Sequence, residues 1–111
     1  MPFAFALKRA GFRVTQAGDG EEALNRAFEE VPDVVVTDLR LPVMDGWQLI
    51  RGLRGDQRTG HVRIAVLTGM GATAVDGADV VLVKPYSPLD LASQVRNLLI
   101  GSSTRGPFAL P

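Results

Sequence analysis

Three polar residues stand where apolar runs end. Asp38 follows Val34-Val35-Val36-Thr37, Thr68 closes Ile64-Ala65-Val66-Leu67, and Lys84 follows Val80-Val81-Leu82-Val83. A carboxylate oxygen can attack phosphorus to form an acyl phosphate, and the transferring group then needs cations and hydroxyl donors around its oxygens. Asp38 is the candidate nucleophile, Lys84 the cation and Thr68 the hydroxyl donor. Any one of them alone is equally well explained as a loop cap or a member of a structural ion pair. Only their convergence would define phosphoryl chemistry.

Convergence requires the three runs to be neighbouring parallel strands, because ligands in such sheets sit beyond the carboxyl ends of the strands. The spacing predicts strands at residues 12–16, 33–37, 62–68 and 80–83, the last three nearly continuous in apolar residues, as befits strands covered on both faces. Helical spacing alternates with them. Asp19-Gly20-Glu21-Glu22 opens one helix with a capping box, Ala23, Leu24, Ala27, Phe28 and Val31 form its apolar face, and Pro32 ends it. A second helix starts after Asp45-Gly46, buries Leu49, Ile50 and Leu53, and stops at Gly55. A third is capped by Ser87 with Pro88 at its first position, and Leu89, Ala92, Val95, Leu98 and Leu99 form its stripe. Alternating strands and helices predict an α/β fold with a parallel sheet.

Composition narrows the function classes. Twelve Lys and Arg balance twelve Asp and Glu over 111 residues, so bulk charge draws the chain to neither nucleic acid nor an anionic membrane. The absence of cysteine removes disulfides, thiolate catalysis and sulfur-ligated metals, and suits a reducing compartment, with cytoplasm the expected location. The apolar opening Met1-Pro2-Phe3-Ala4-Phe5-Ala6-Leu7 is too short to span a bilayer and is expected to be helical. His61 is expected in a solvated loop. Arg51, Arg54, Arg58 and Arg63 are scattered with no helix-turn-helix behind them, giving no expectation of direct DNA contact.

The segment Asp38-Leu39-Arg40-Leu41-Pro42-Val43-Met44-Asp45-Gly46 resembles the phosphorylation loop of response-regulator receiver domains, in which the first Asp is phosphorylated. Thr68-Gly69 is similar to that family's switch hydroxyl and following small residue, and Gly77-Ala78-Asp79 leading to Lys84-Pro85 resembles its final strand and Lys, whose following Pro usually has a cis bond before it. The resemblance implies a doubly wound, flavodoxin-like receiver fold. It also implies a Mg2+ cofactor, phosphoryl transfer from a sensor histidine kinase or phosphotransfer protein, and a downstream signalling partner, with the domain acting as a switch rather than a turnover enzyme. The oligomeric state stays open.

Measured against that family, the first strand and the acidic pair at its end are missing, because no Asp or Glu precedes Asp19. The receiver is expected over residues 1–101, N-terminally incomplete through a truncated N-terminus, with 102–111 a tail or linker. The resemblance leaves Mg2+ with the Asp38 carboxylate, the Arg40 backbone carbonyl and water. Losing a central strand exposes the edges of its neighbours to aggregation or strand exchange unless they close up. The fourth helix is expected to be short, and Val81 stands where many receivers carry a switch aromatic. Two alternatives follow. One is a degenerate or truncated receiver that binds partners without phosphorylation. The other, a small hydrolase with an Asp38 nucleophile, commonly needs a second carboxylate two residues on, where this chain has Arg40.

Overall fold

The computed structural model describes residues 2–41, 43–69, 75–84, 87–99 and 108–110. The elements run α1 (Pro2–Arg9), β1 (Val14–Gln16), α2 (Gly20–Glu29), β2 (Val34–Asp38), α3 (Gly46–Arg54), β3 (Arg63–Thr68), β4 (Val80–Val83), α4 (Pro88–Leu98) and β5 (Phe108–Leu110). Every ladder is parallel, and the sheet order is β1-β5-β2-β3-β4.

Strand periodicity splits the core into two layers. Val35, Ile64 and Val66 face Ala23, Ala27, Leu49, Ile50 and Leu53 of α2 and α3, whereas Val34, Val36, Ala65 and Leu67 face Ala4, Leu7, Leu91, Ala92 and Val95 of α1 and α4. Both faces of β2 and β3 are therefore covered, as their unbroken apolar runs require. The result is a doubly wound α/β sandwich. Helix ends follow local chemistry: Asp45 accepts from the Gln48 amide while the Gln48 side chain accepts from the Asp45 amide, at 2.9 and 3.0 Å. Asp19 accepts from the Glu22 amide at 2.8 Å, and the Glu22 carboxylate accepts from Gly18 at 2.9 Å.

Three expectations need correction. The first strand starts at Val14 rather than residue 12, because Gly11 turns at φ +98° and the Phe12 amide still donates to Leu7 O at 3.1 Å. The stripe of α4 runs through Leu91, Ala92 and Val95, while Leu89 is 75% exposed. Two helical residues turn the side chain about 200°, so Leu89 and Leu91 cannot share a face.

The largest correction concerns residues 102–111. Phe108–Leu110 are not tail but strand β5, parallel to β1 and β2 and lying between them. The flanking strands do not close up. Without β5 both would present unpaired edges in the middle of the sheet, and an apolar Phe-Ala-Leu segment satisfies those backbone groups. The expected shortness of the fourth helix, the Lys84–Pro85 bond and the rest of the 102–111 tail involve residues 70–74, 85 and 100–107, which lie outside the described residues. Among the described residues no helix is long and apolar enough to cross a membrane.

Candidate functional site

β2 and β4 both pair with β3, Asp38 opposite Leu67 and Val83 opposite Thr68, which brings the carboxyl ends of three strands to one rim. Asp38 closes β2 and Lys84 follows β4. The Lys84 ammonium donates to Asp38 Oδ2, pairing residues 46 positions apart in sequence. The Arg40 amide donates to Asp38 Oδ1 at 3.2 Å, and the Lys84 amide donates to Thr68 O at 2.8 Å. Asp38, Arg40, Gly69 and Lys84 line an open crevice.

Thr68 stands at the same rim, paired in register with Val83 of β4. It ends β3 beside the rim, but it is wholly buried and is not part of the crevice wall. The Arg40 amide and Gly69 were not singled out as crevice walls from sequence, since a backbone contact leaves no side-chain signal. His61 is exposed in the loop before β3, as expected, and Trp47 is partly exposed on α3.

Partial burial pushes the Asp38 carboxyl up, but the donating Lys84 ammonium and the Arg40 and Leu39 amides outweigh it and hold the group below its ordinary value of 3.8. Asp38 is therefore anionic at neutral pH. A group depressed in the folded state contributes stability that is present above its unfolded value, about 3.9, and is lost as pH falls through the lower folded value. We expect the parent chain to lose more stability below pH ~4 than Asp38→Asn does, in denaturant titrations at neutral and acidic pH. Parallel curves would show that the pairing adds nothing. With side chains 43% and 31% exposed, the Lys84–Asp38 pair contributes at most about 1 kcal/mol, so it can open to admit another anion.

The loop after Asp38 is held by close backbone approach. A Cβ on Gly46 would overlap Asp38 O and come within 2.7 Å of Leu39 Cα, while the Gly46 amide donates to Leu39 O at 2.9 Å. Glycine lets α3 start directly behind the carboxylate. Gly46→Ala should destabilise the fold by about 2 kcal/mol, the scale of overpacking against backbone. Urea unfolding measures it, and a loss below about 0.5 kcal/mol would mean the loop yields easily. Val43, in the same loop, adopts φ 68°, unusual for a β-branched residue.

A doubly wound sheet carrying an anionic aspartate and a lysine at its carboxyl rim is the architecture of a signalling receiver. The pattern of the response regulator receiver domain matches residues 3–96, and the chain belongs to that family, which serves two-component signal transduction. Among its relatives, the alkaline phosphatase synthesis transcriptional regulatory protein PhoP of Bacillus subtilis is 35% identical over 93% of this chain and 45% of its own length. The chain thus spans under half of the curated relatives it matches. Among solved structures, the chemotaxis response regulator CheY4 of Vibrio cholerae superimposes with a TM-score of 0.80 at 30% identity, covering 87% of this chain and 86% of that one. The receiver domain of the sensor histidine kinase PA1611 from Pseudomonas aeruginosa, which has magnesium coordinated in its active-site cleft, gives 0.74 at 32% identity, covering 88% and 84%.

Proposed function

We propose that Asp38 accepts a phosphoryl group from the phosphohistidine of a sensor kinase or phosphotransfer protein, in the cytoplasm, and that the added charge changes which signalling partner the domain binds. The observation that carries this reading is the Asp38–Lys84 pair at the open rim of three strands. An Asp38 oxygen attacks phosphorus, the P–N bond to imidazole breaks, and the leaving imidazole takes up a proton. The Lys84 ammonium passes from the carboxylate to a phosphoryl oxygen. Thr68 reaches another oxygen only if its buried hydroxyl turns toward the crevice. A phosphoryl group brings nearly two negative charges, enough to rearrange a loop. Output then passes to a downstream partner, or to a linked domain where the full-length relatives carry one.

The residues present meet the lower limit for Mg2+. They offer the Asp38 carboxylate and, by family resemblance, the Arg40 carbonyl, and β5 brings only Phe108, Ala109 and Leu110 to the neighbouring position. Among the described residues no group of three or more His, Cys, Asp or Glu gathers. Mg2+ is commonly held by one or two carboxylates with phosphate oxygens and water. When bound it neutralises phosphoryl oxygens.

Intact-mass spectrometry after incubation with acetyl phosphate and Mg2+ tests the reading. A hydroxylamine-labile phosphoryl adduct is expected in the parent and absent from Asp38→Asn. An adduct in both, or in neither, overturns it. That Asp38 is the one carboxylate among the described crevice residues favours a second reading, partner binding without phosphorylation, under which Asp38→Asn would leave partner binding unchanged.

A further inference from the structure

The wall of the Asp38 crevice is unevenly charged. Among its described residues, Asp38, Arg40, Gly69 and Lys84, one carboxylate stands with two basic residues, so positive charge is in excess. The two carboxylate oxygens are held separately, Oδ2 by the Lys84 ammonium and Oδ1 by the Arg40 amide at 3.2 Å. That amide contact fixes the backbone of Arg40 beside the carboxylate. Leu39 is buried and Leu41 packs against the same core, which leaves Arg40, between them, exposed at the rim. An exposed arginine such as Arg51 on α3 has neither the crevice nor a tethered carboxylate next to it.

We propose that the Arg40 side chain is a second cationic contact for the phosphoryl group, which its guanidinium and the Lys84 ammonium hold between them at Asp38. This deepens the phosphoacceptor reading and rests on it. An ionised carboxylate carries one negative charge and is balanced by one cation, whereas a phosphorylated aspartate carries nearly two. The phosphorylated crevice therefore has a charge for each of its two cations. A guanidinium suits the task because its planar fork donates two parallel N–H bonds to phosphate oxygens. Charge on the transferring group is spread over its equatorial oxygens, so the same contact acts during transfer as well as after it. The side chain does this work, and the Arg40 carbonyl stays available to Mg2+.

Orthophosphate is titrated into Asp38→Asn at constant ionic strength without divalent cations, and NMR shifts around the crevice give the affinity. Adding Arg40→Ala should weaken binding about tenfold, the loss of one charged bidentate contact, with Arg40→Lys recovering only part. Adding Arg51→Ala instead should change it by less than about twofold, because a charge outside the crevice is screened. No saturable binding, or equal losses from Arg40→Ala and Arg51→Ala, overturns the inference. The titration involves no phosphoryl transfer, so the two claims fail separately. With acetyl phosphate and Mg2+, Arg40→Ala in the otherwise unsubstituted chain should slow adduct formation by at least about tenfold. An unchanged rate overturns the inference and leaves the phosphoacceptor reading intact. No adduct in the parent overturns that reading, and the phosphate titration then decides the Arg40 contact by itself.

Discussion

Arg54→Ala should lower the unfolding free energy by about 3 kcal/mol and the melting temperature by roughly 12 °C, the largest stability loss expected from a single partly exposed side chain here. The guanidinium stands at the end of α3 and donates to Gly60 O at 2.9 Å, to Val62 O, to Gly77 O at 2.9 Å and to Asp79 Oδ2 at 3.0 Å. Asp79 in turn accepts from the Ile64 amide at 2.7 Å and lies 3.6 Å from Arg63. One side chain thus ties the helix to the loop before β3 and to the turn before β4. Truncation takes the guanidinium donor from three carbonyls and leaves Asp79 to the Ile64 amide and Arg63. Lysine keeps the charge but not the fork, so Arg54→Lys should recover less than half of the loss. Thermal and urea unfolding of the three proteins decide it, and a change within about 0.5 kcal/mol for the alanine variant would show that the clasp is ornamental.

Lys84→Ala should slow phosphorylation of Asp38 by acetyl phosphate about 10²–10³-fold while leaving the protein folded. In the reading proposed here the ammonium is a side-chain cation placed to neutralise the transferring group. Its ground-state pairing with Asp38 is half-exposed, so removing it costs little stability. Asp38 remains anionic at neutral pH in the variant because carboxylates titrate near 4, which separates lost transition-state stabilisation from a lost nucleophile. Arginine should restore part of the rate. Quench-flow or mass-based time courses give the measurement, and a rate within about threefold of the parent would remove Lys84 from the chemistry.

How much of this was legible beforehand varies by element. The runs at Val34 and Ile64 announced strands buried on both faces, and alternate residues do face opposite helix layers. Asp45 with Gly46, and Ser87 with Pro88, announced helix starts that the hydrogen bonds bear out. Asp38 and Lys84 were legible because each ends an apolar run, and parallel strands bring such ends together. The Leu89 stripe misled because several overlapping apolar faces can be drawn on one short helix, and only packing selects among them.

By itself the sequence determined what local periodicity, caps and strand-end chemistry determine: an alternating α/β chain, the aspartate that ends one of its strands and the lysine that meets it. The tertiary structure alone decided the rest. It buried Thr68, joined Arg54 to the backbone of two separate loops, seated Gly46 against Asp38 and drew Phe108–Leu110 into the middle of the sheet. These contacts are made in space and leave no local period in the sequence: the Arg54 side chain reaches Gly77 O 23 positions away, and Phe108 pairs with Val14. Three apolar residues between prolines carry almost no period, and become a strand only because two neighbouring edges need a partner.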